Sequence, residues 1–211
     1  MIKIGKKLNK KINAVITSME QPLGKNIGNS LEVLESIEFL KGNYEKDLYD
    51  VTVKIASLLL VSAKIARNED SALKLIEEKL KSGSALEKLR EIIKYQNGDI
   101  NVIDDYSILG VSSDVSEIKA EKSGYISELD ALSVAKACKI LGAGRDKKTD
   151  PIDFGVGVSL NKKIGDFVNS GEVLATIYGT KNLSDAKELL QNAFKIQNNK
   201  TSSPVLIYKT L

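Results

Sequence analysis

Apolar and polar residues follow two different spacings along this chain, and the change falls near residue 96. In the first part, apolar residues recur at helical intervals, as at Leu31, Leu34 and Ile37. This pattern predicts a series of α-helices that end at or near glycines. The predicted helices cover residues 29–41, 45–66, 70–82 and 84–96. The second of them is apolar on nearly every side, so we expect it to be a buried core helix.

Two of these helices also carry a start signal. Asn29 is followed three residues later by Glu32, and Ser84 is followed in the same way by Glu87. This is the spacing of a capping box, in which the first residue caps the helix and the acidic residue bonds back to it. We therefore expect Asn29 and Ser84 to be the N-caps of their helices.

One short segment of the first part has the pattern of a strand. Residues 12–19 contain the apolar run Ala14, Val15 and Ile16, which is typical of a strand buried on both faces. Residues 21–28 follow as a structured loop with one proline and two glycines. A lone buried strand cannot satisfy its backbone N–H and C=O groups. Its neighbouring strands must come from the second part or from residues outside this sequence. In the second case, we expect this chain to be incomplete.

Shorter strands and more frequent glycines mark the second part of the chain. Apolar alternation and turn residues predict strands at residues 115–120, 125–129, 154–160 and 205–208, and a two-turn strand region at 164–177. Residues 131–141 and 183–194 are predicted to be helical. The stretch from Asn97 to Asp114 joins the two parts and opens on a turn. Together the patterns predict an α+β fold.

Composition narrows the possible chemistry. The 31 basic and 28 acidic residues give a net charge of +3, which is too balanced to favour nucleic-acid binding. Histidine is absent, which excludes Ser-His-Asp and Cys-His catalysis and the usual zinc sites. The single cysteine, Cys138, excludes an intramolecular disulfide and is expected to be a buried, inert thiol. A chain that cannot form an intramolecular disulfide fits the reducing cytoplasm, so a cytoplasmic location is expected.

No membrane partner is expected from the apolar pattern. The most apolar stretch, residues 51–66, contains Lys54 and Lys64. It is also shorter than the roughly 20 residues that a membrane span needs. No uninterrupted apolar run follows the basic start of the sequence, so a signal peptide is not predicted.

Three features could carry chemistry, and each has a structural alternative. Glu35 borders the apolar stripe of its helix, so its carboxylate could bind a cation or simply lie in water. The carbonyls of the loop 21–28 could coordinate a hard cation, or the loop could only be a tight turn. Residues 142–145 read Gly-Ala-Gly-Arg, which lacks the spacing of a dinucleotide fingerprint. The charges that follow predict an exposed loop, with anion binding as the alternative.

The segment 164–177 raises a separate functional alternative. Its glycines and apolar residues have the spacing of biotinyl and lipoyl carrier modules, and Lys181 lies near the position of the modified lysine. A carrier lysine lies at a hairpin tip with a return strand behind it, whereas residues 183–194 have a helical pattern. A shared fold explains the spacing without a shared function.

Several motifs in the same order resemble pyrimidine-nucleoside and thymidine phosphorylases. They are AVITSMEQPLG at residues 14–24, GNSLEV at 28–33, SALEK at 84–88, and the run 142–153 from GAGR to DPID. The resemblance extends over essentially the whole chain. It implies a pentosyltransferase reaction, in which phosphate attacks the anomeric carbon of a pyrimidine nucleoside and releases the base and a (deoxy)ribose 1-phosphate.

The resemblance also implies that this chain is the C-terminal half of such an enzyme. The family's phosphate-binding segment and its nucleoside contacts lie upstream of the residues present here, so we predict no catalytic or substrate-binding residue in this chain. Nucleoside and phosphate would then bind only in the complete enzyme. The expected partner is the missing N-terminal half or a homologous subunit, and the chain alone is expected to be inactive.

One site of the family partly carries over to this half. It binds potassium or calcium, and by motif its ligands fall on the carbonyls of Leu23 and Asn26 and the carboxylate of Glu35. The resemblance predicts an incomplete site here and no organic cofactor. It also implies a domain division, with residues 1–96 as the distal part of the α/β domain, 97–115 as a linker, and 116–211 as a β-hammerhead (barrel-sandwich hybrid-like) module.

Overall fold

A computed structural model describes residues 2–10 and 12–211 of the chain. The helices are α1 Ile2–Lys7, α2 Asn29–Leu40, α3 Lys46–Ser62, α4 Glu69–Lys81, α5 Ser84–Tyr95, α6 Ala131–Cys138 and α7 Leu183–Ala193. The strands are β1 Val15–Thr17, β2 Asn26–Ile27, β3 Val115–Lys119, β4 Gly124–Leu129, β5 Gly157–Leu160, β6 Phe167–Val168, β7 Val173–Tyr178, β8 Phe194–Gln197 and β9 Ile207–Thr210. The predicted α+β fold is confirmed.

The described strands form three antiparallel sheets. The largest has the order β2-β5-β7-β3, the second has the order β6-β4-β8, and β1 pairs with β9. No sheet in the described part of the chain closes into a barrel. Two strands of the first part, β1 and β2, pair with strands of the second part. The domain boundaries implied by the resemblance stay a prediction.

The main hydrophobic core lies between the strands of the second part and helices α6 and α7. Its fully buried side chains include Ile126, Leu141, Leu174, Ile177 and Leu190. In α7 the buried residues Ala186, Leu190 and Ala193 recur at helical spacing, as the apolar pattern predicts. In β7 the neighbours Leu174 and Ala175 are both buried, so the strand does not alternate strictly. A smaller core joins Ile37 of α2 to Val102 and Ile103, which lie in a short 3₁₀ turn after α5.

The burial predicted for two elements of the first part is wrong. Strand β1 is only three residues long, and Ile16 is 47% exposed, so the strand is not buried on both faces. Helix α3 buries only Val51, Val53 and Ser57, and its apolar residues Ile55 and Leu59 are exposed. The prediction that β1 needs a strand from elsewhere is confirmed on one side, where β9 supplies it.

The helix starts also differ from the two predicted capping boxes. Gly28 and Gly83 are the N-caps of α2 and α5, and neither has a side chain to cap with. The acidic half of the first box is present, because the Glu32 carboxylate accepts the N–H of Gly28 at 3.2 Å. A full capping box occurs at α4, where Asn68 and Ser71 bond reciprocally.

None of the helices in the described residues combines the length and the apolar character of a membrane-crossing segment.

Candidate cation site around Glu35

The loop between β1 and α2 wraps around the carboxylate of Glu35. Glu35 lies in the middle of α2 and is only 7% exposed. Its Oε1 accepts the backbone N–H of Lys25 at 2.8 Å, and its Oε2 accepts that of Asn26 at 3.1 Å. A buried carboxylate is stable only when such bonds replace its lost hydration. The interpretation of Glu35 as a residue with its carboxylate in water is therefore wrong.

The glycine at position 24 makes this wrapping possible. Gly24 has a φ of +69°, a conformation that residues with a side chain rarely adopt. A Cβ atom there would lie 2.8 Å from Oε2 and 2.9 Å from Oε1 of Glu35. The loop can therefore approach the carboxylate this closely only with glycine at this position.

Strand β2 fixes the second half of the loop. Asn26 is buried and pairs with Ser159 of β5, and the Lys25 carbonyl accepts the N–H of Leu160 at 2.7 Å. The loop is thus held by α2 on one side and by the largest sheet on the other. A two-residue strand has no periodic sequence signal, which is why the sequence predicted only a structured loop.

The three predicted ligand residues lie around one cavity of about 400 Å³. Leu23, Asn26 and Glu35 all contribute to its lining, and Glu32 adds a second carboxylate. Carboxylate and carbonyl oxygens are the donors that hard cations such as calcium prefer, so the donor set fits the predicted ion. In the residues that the structure describes, no group of three or more His, Cys, Asp or Glu side chains is arranged for a metal. The cation site stays a prediction.

A largely buried ion pair beside this loop was not predicted from the sequence. Lys163 forms a salt bridge with Asp47, in the first turn of α3, and both side chains are mostly shielded from water. Next to it, the Gln21 side chain accepts the N–H of Ile164 at 2.9 Å. These contacts join residues more than a hundred positions apart, so no local pattern signals them. They hold the loop and α3 against the turn before β6.

The Gly-Ala-Gly-Arg segment begins at the buried end of a helical turn, where Gly142 is buried, and becomes exposed at Arg145. The charge-rich residues 145–149 form an exposed loop, as their charges predict. The Arg145 guanidinium donates to the carbonyl of Lys148 at 3.0 Å, within the same loop. The Asn29 side chain donates to the Ala143 carbonyl at 2.9 Å and ties the loop to the start of α2. Anion binding at this loop stays a prediction.

Cys138 and Lys181 are the other two side chains that the sequence suggested for chemistry. The Cys138 thiol lies beside the Glu35 loop and donates to the Ile27 carbonyl at 3.5 Å. Cys138 is buried as predicted, and its burial raises the pKa of the thiol to about 12, so it is not a nucleophile near neutral pH. Lys181 is exposed after β7 and precedes α7, and the chain does not return there as a hairpin strand. The carrier alternative predicted a lysine at a hairpin tip, and the predicted helix is present instead.

The C-terminal part of the chain resembles a known family of domains. Residues 125–197 match the family model described as the pyrimidine nucleoside phosphorylase C-terminal domain. This range covers β4 to β8 and the helices α6 and α7, which build the main core. The C-terminal part of the chain is therefore similar to the C-terminal domain of pyrimidine nucleoside phosphorylases.

Full-length relatives extend the match to the whole chain. Pyrimidine-nucleoside phosphorylases of Staphylococcus haemolyticus strain JCSC1435 and Staphylococcus aureus strain USA300 are 39% and 41% identical to it over 212 aligned residues. The alignments cover 100% of this chain and 49% of each relative, so the chain spans about half the length of the curated relatives it matches. The chain is thus similar over its whole length to the C-terminal half of pyrimidine-nucleoside phosphorylases.

Proposed function

We propose that this chain is the C-terminal part of a cytoplasmic pyrimidine-nucleoside phosphorylase, which acts only together with a polypeptide equivalent to the N-terminal half. The observation that carries this proposal is the 39% identity over the entire chain to a relative of which it covers 49%. Phosphorolysis of uridine or thymidine by phosphate would be the reaction of the complete enzyme. Its products are the free base and a (deoxy)ribose 1-phosphate.

The proposed reaction sets requirements that two halves would share. Phosphate must be held close to the anomeric carbon, and the negative charge that develops on the leaving base must be stabilised. By the family resemblance, the residues for both tasks belong to the other half. The part contributed by this chain is structural: the buried Glu35 carboxylate orders the loop 21–28 through two backbone bonds.

We propose that this ordered loop also supplies half of a cation site. The carbonyls of Leu23 and Asn26 and the carboxylate of Glu35 would contribute oxygen ligands for potassium or calcium, and the N-terminal half would contribute the others. The two N–H groups that already bond to Glu35 keep its oxygens fixed beside the cavity. An ion shared between the halves would link assembly to the order of the phosphate-binding region.

Phosphorolysis assays of the chain with and without a partner test the proposed function. The partner is the N-terminal half of the Staphylococcus aureus relative, co-expressed with this chain, and base release from uridine and thymidine is followed in phosphate buffer. We expect no release from the chain alone and phosphate-dependent release from the co-purified pair. The same pair without phosphate is the matched control.

Two results would contradict the proposal. Phosphate-dependent base release by the chain alone would show that this chain suffices for catalysis without an N-terminal half. Failure of the two halves to associate, or an associated pair without any phosphorolysis, would show that this chain is not the working C-terminal half of such an enzyme.

A further inference from the structure

Strand β1 has one paired edge and one open edge. On the paired side, Ala14 and Leu211 exchange two backbone hydrogen bonds, of 3.0 and 2.8 Å, at the start of the β1–β9 ladder. Hydrogen-bonded and non-bonded residues alternate along an antiparallel pair, so Ile16 bonds toward β9 while Val15 and Thr17 turn their N–H and C=O groups the other way. Among the described strands, none lies on that side.

Helix α3 carries an exposed apolar stripe that ends next to the residues preceding β1. Ile55, Leu59 and Ser62 follow one another at helical spacing along a single face of the helix. Leu59 is 64% exposed and Ile55 is also exposed. The Ser62 hydroxyl accepts a 2.5 Å hydrogen bond from the Asn13 side chain, which precedes β1. The end of the stripe therefore adjoins the strand.

The two features together have the character of a docking surface. An open strand edge is a template for another strand, and natural proteins usually cover it, shorten it or protect it with charges. The side chain at the middle of β1 is an exposed isoleucine, not a charged residue. The exposed Ile55 and Leu59 on one face of α3 supply the apolar part of such a surface. We call Val15–Thr17 and the Ile55–Leu59 stripe the open-edge surface.

We propose that the open-edge surface binds the N-terminal half of the enzyme, which adds a β-strand beside β1 and covers the α3 stripe. This inference rests on the proposed function. Strand addition gives the backbone groups of Val15 and Thr17 partners, and apolar side chains of the incoming half remove Leu59 from water. The relatives are about twice as long as this chain. In them, an N-terminal half of similar length is joined to the part that matches this chain, and that half is the proposed partner.

Substitutions at the open-edge surface test this assignment. Thr17→Pro removes an N–H that points to the open edge and leaves the bonds of Ile16 to β9 intact, whereas Thr17→Val keeps that N–H and is the matched control. Leu59→Lys places a charge on the stripe. Its control is Leu132→Lys on α6, because Leu132 is 61% exposed and lies outside the open-edge surface.

Each variant is co-expressed with the N-terminal half of the Staphylococcus aureus relative, and the affinity of the pair and its phosphorolysis rate are measured. Thr17→Pro and Leu59→Lys are expected to weaken association by at least about tenfold, which corresponds to about 1.4 kcal/mol. The two control variants are expected to stay within about twofold of the unmodified chain, well below that step. Thermal melting of each isolated variant is compared with that of the unmodified chain, so that weaker association is not confused with loss of the fold.

The possible outcomes separate this inference from the proposed function. If the unmodified halves form an active pair and all four variants bind equally well, the surface assignment is wrong and the proposed function stands. If Leu59→Lys only dissolves a dimer of this chain and leaves the pairing of the halves unchanged, the surface belongs to a second copy and the assignment is also wrong. If the unmodified halves do not associate, the proposed function fails and the assignment with it.

Discussion

Replacing Gly157 by valine is expected to lower the free energy of unfolding by at least about 3 kcal/mol, because the new side chain has no space and backbone must move. A Cβ atom at Gly157 would lie 2.3 Å from the Ile27 carbonyl oxygen and 3.1 Å from the Cα of Gly28. Both neighbours are main-chain atoms, so no rotamer change relieves the overlap. The variant should separate β2 from β5 and release the loop that surrounds Glu35. Urea unfolding followed by circular dichroism measures the effect.

A second glycine provides the control for that experiment. Gly42 has a φ of +96°, and nothing lies within 4 Å of a Cβ atom placed there. Gly42→Ala is therefore expected to cost only about 1 kcal/mol, through backbone strain without a clash. Equal destabilisation by the Gly157 and Gly42 substitutions would show that the close pairing of β2 with β5 is not a determinant of the fold.

Replacing Glu35 by alanine is expected to destabilise the chain by about 2–5 kcal/mol, since two backbone N–H groups lose their acceptor in a buried setting. The carboxylate accepts the N–H groups of Lys25 and Asn26, and both bonds disappear with the side chain. Glu35→Gln keeps one acceptor oxygen and should lie between the alanine variant and the unmodified chain. The free energy of unfolding in urea is the quantity to compare.

Glu78→Ala is the matched control for the glutamate substitution. Glu78 is an exposed glutamate on α4 whose only described ion pair is with the neighbouring Lys79. Its replacement is expected to change stability by no more than about 0.5 kcal/mol. If Glu35→Ala is as mild as this control, the carboxylate does not hold the loop.

Local sequence patterns predicted which segments are helices, but not which of their faces are covered. Apolar spacing located α2, α4 and α5 correctly because the side chains of one face recur every three to four residues. The same signal placed α3 in a core, although Ile55 and Leu59 are exposed in this chain. An apolar residue shows that a position tolerates burial, and only the surrounding chain determines whether burial occurs. The covering surface for these residues belongs, in our proposal, to the other half.

For the candidate site, the family resemblance named residues but could not give their contacts, and the cation site itself stays a prediction. The family motif pointed to Leu23, Asn26 and Glu35, and the structure brings them to one cavity. The burial of Glu35 could not be read from its helix, because it depends on Gly24 and on the pairing of β2 with β5. The Lys163–Asp47 ion pair joins distant segments and has no sequence signature. Contacts of this kind arise only when tertiary structure forms.

Backbone hydrogen exchange in β1 tests most directly whether the two halves join at this strand. The amide exchange rates of Val15, Ile16 and Thr17 are measured by NMR in the isolated chain and in its complex with the N-terminal half. Because Val15 and Thr17 face the open edge, their amides should exchange rapidly in the isolated chain and slow strongly in the complex, while Ile16 is protected by β9 in both. Unchanged exchange at Val15 and Thr17 in a fully formed complex would contradict the proposed pairing.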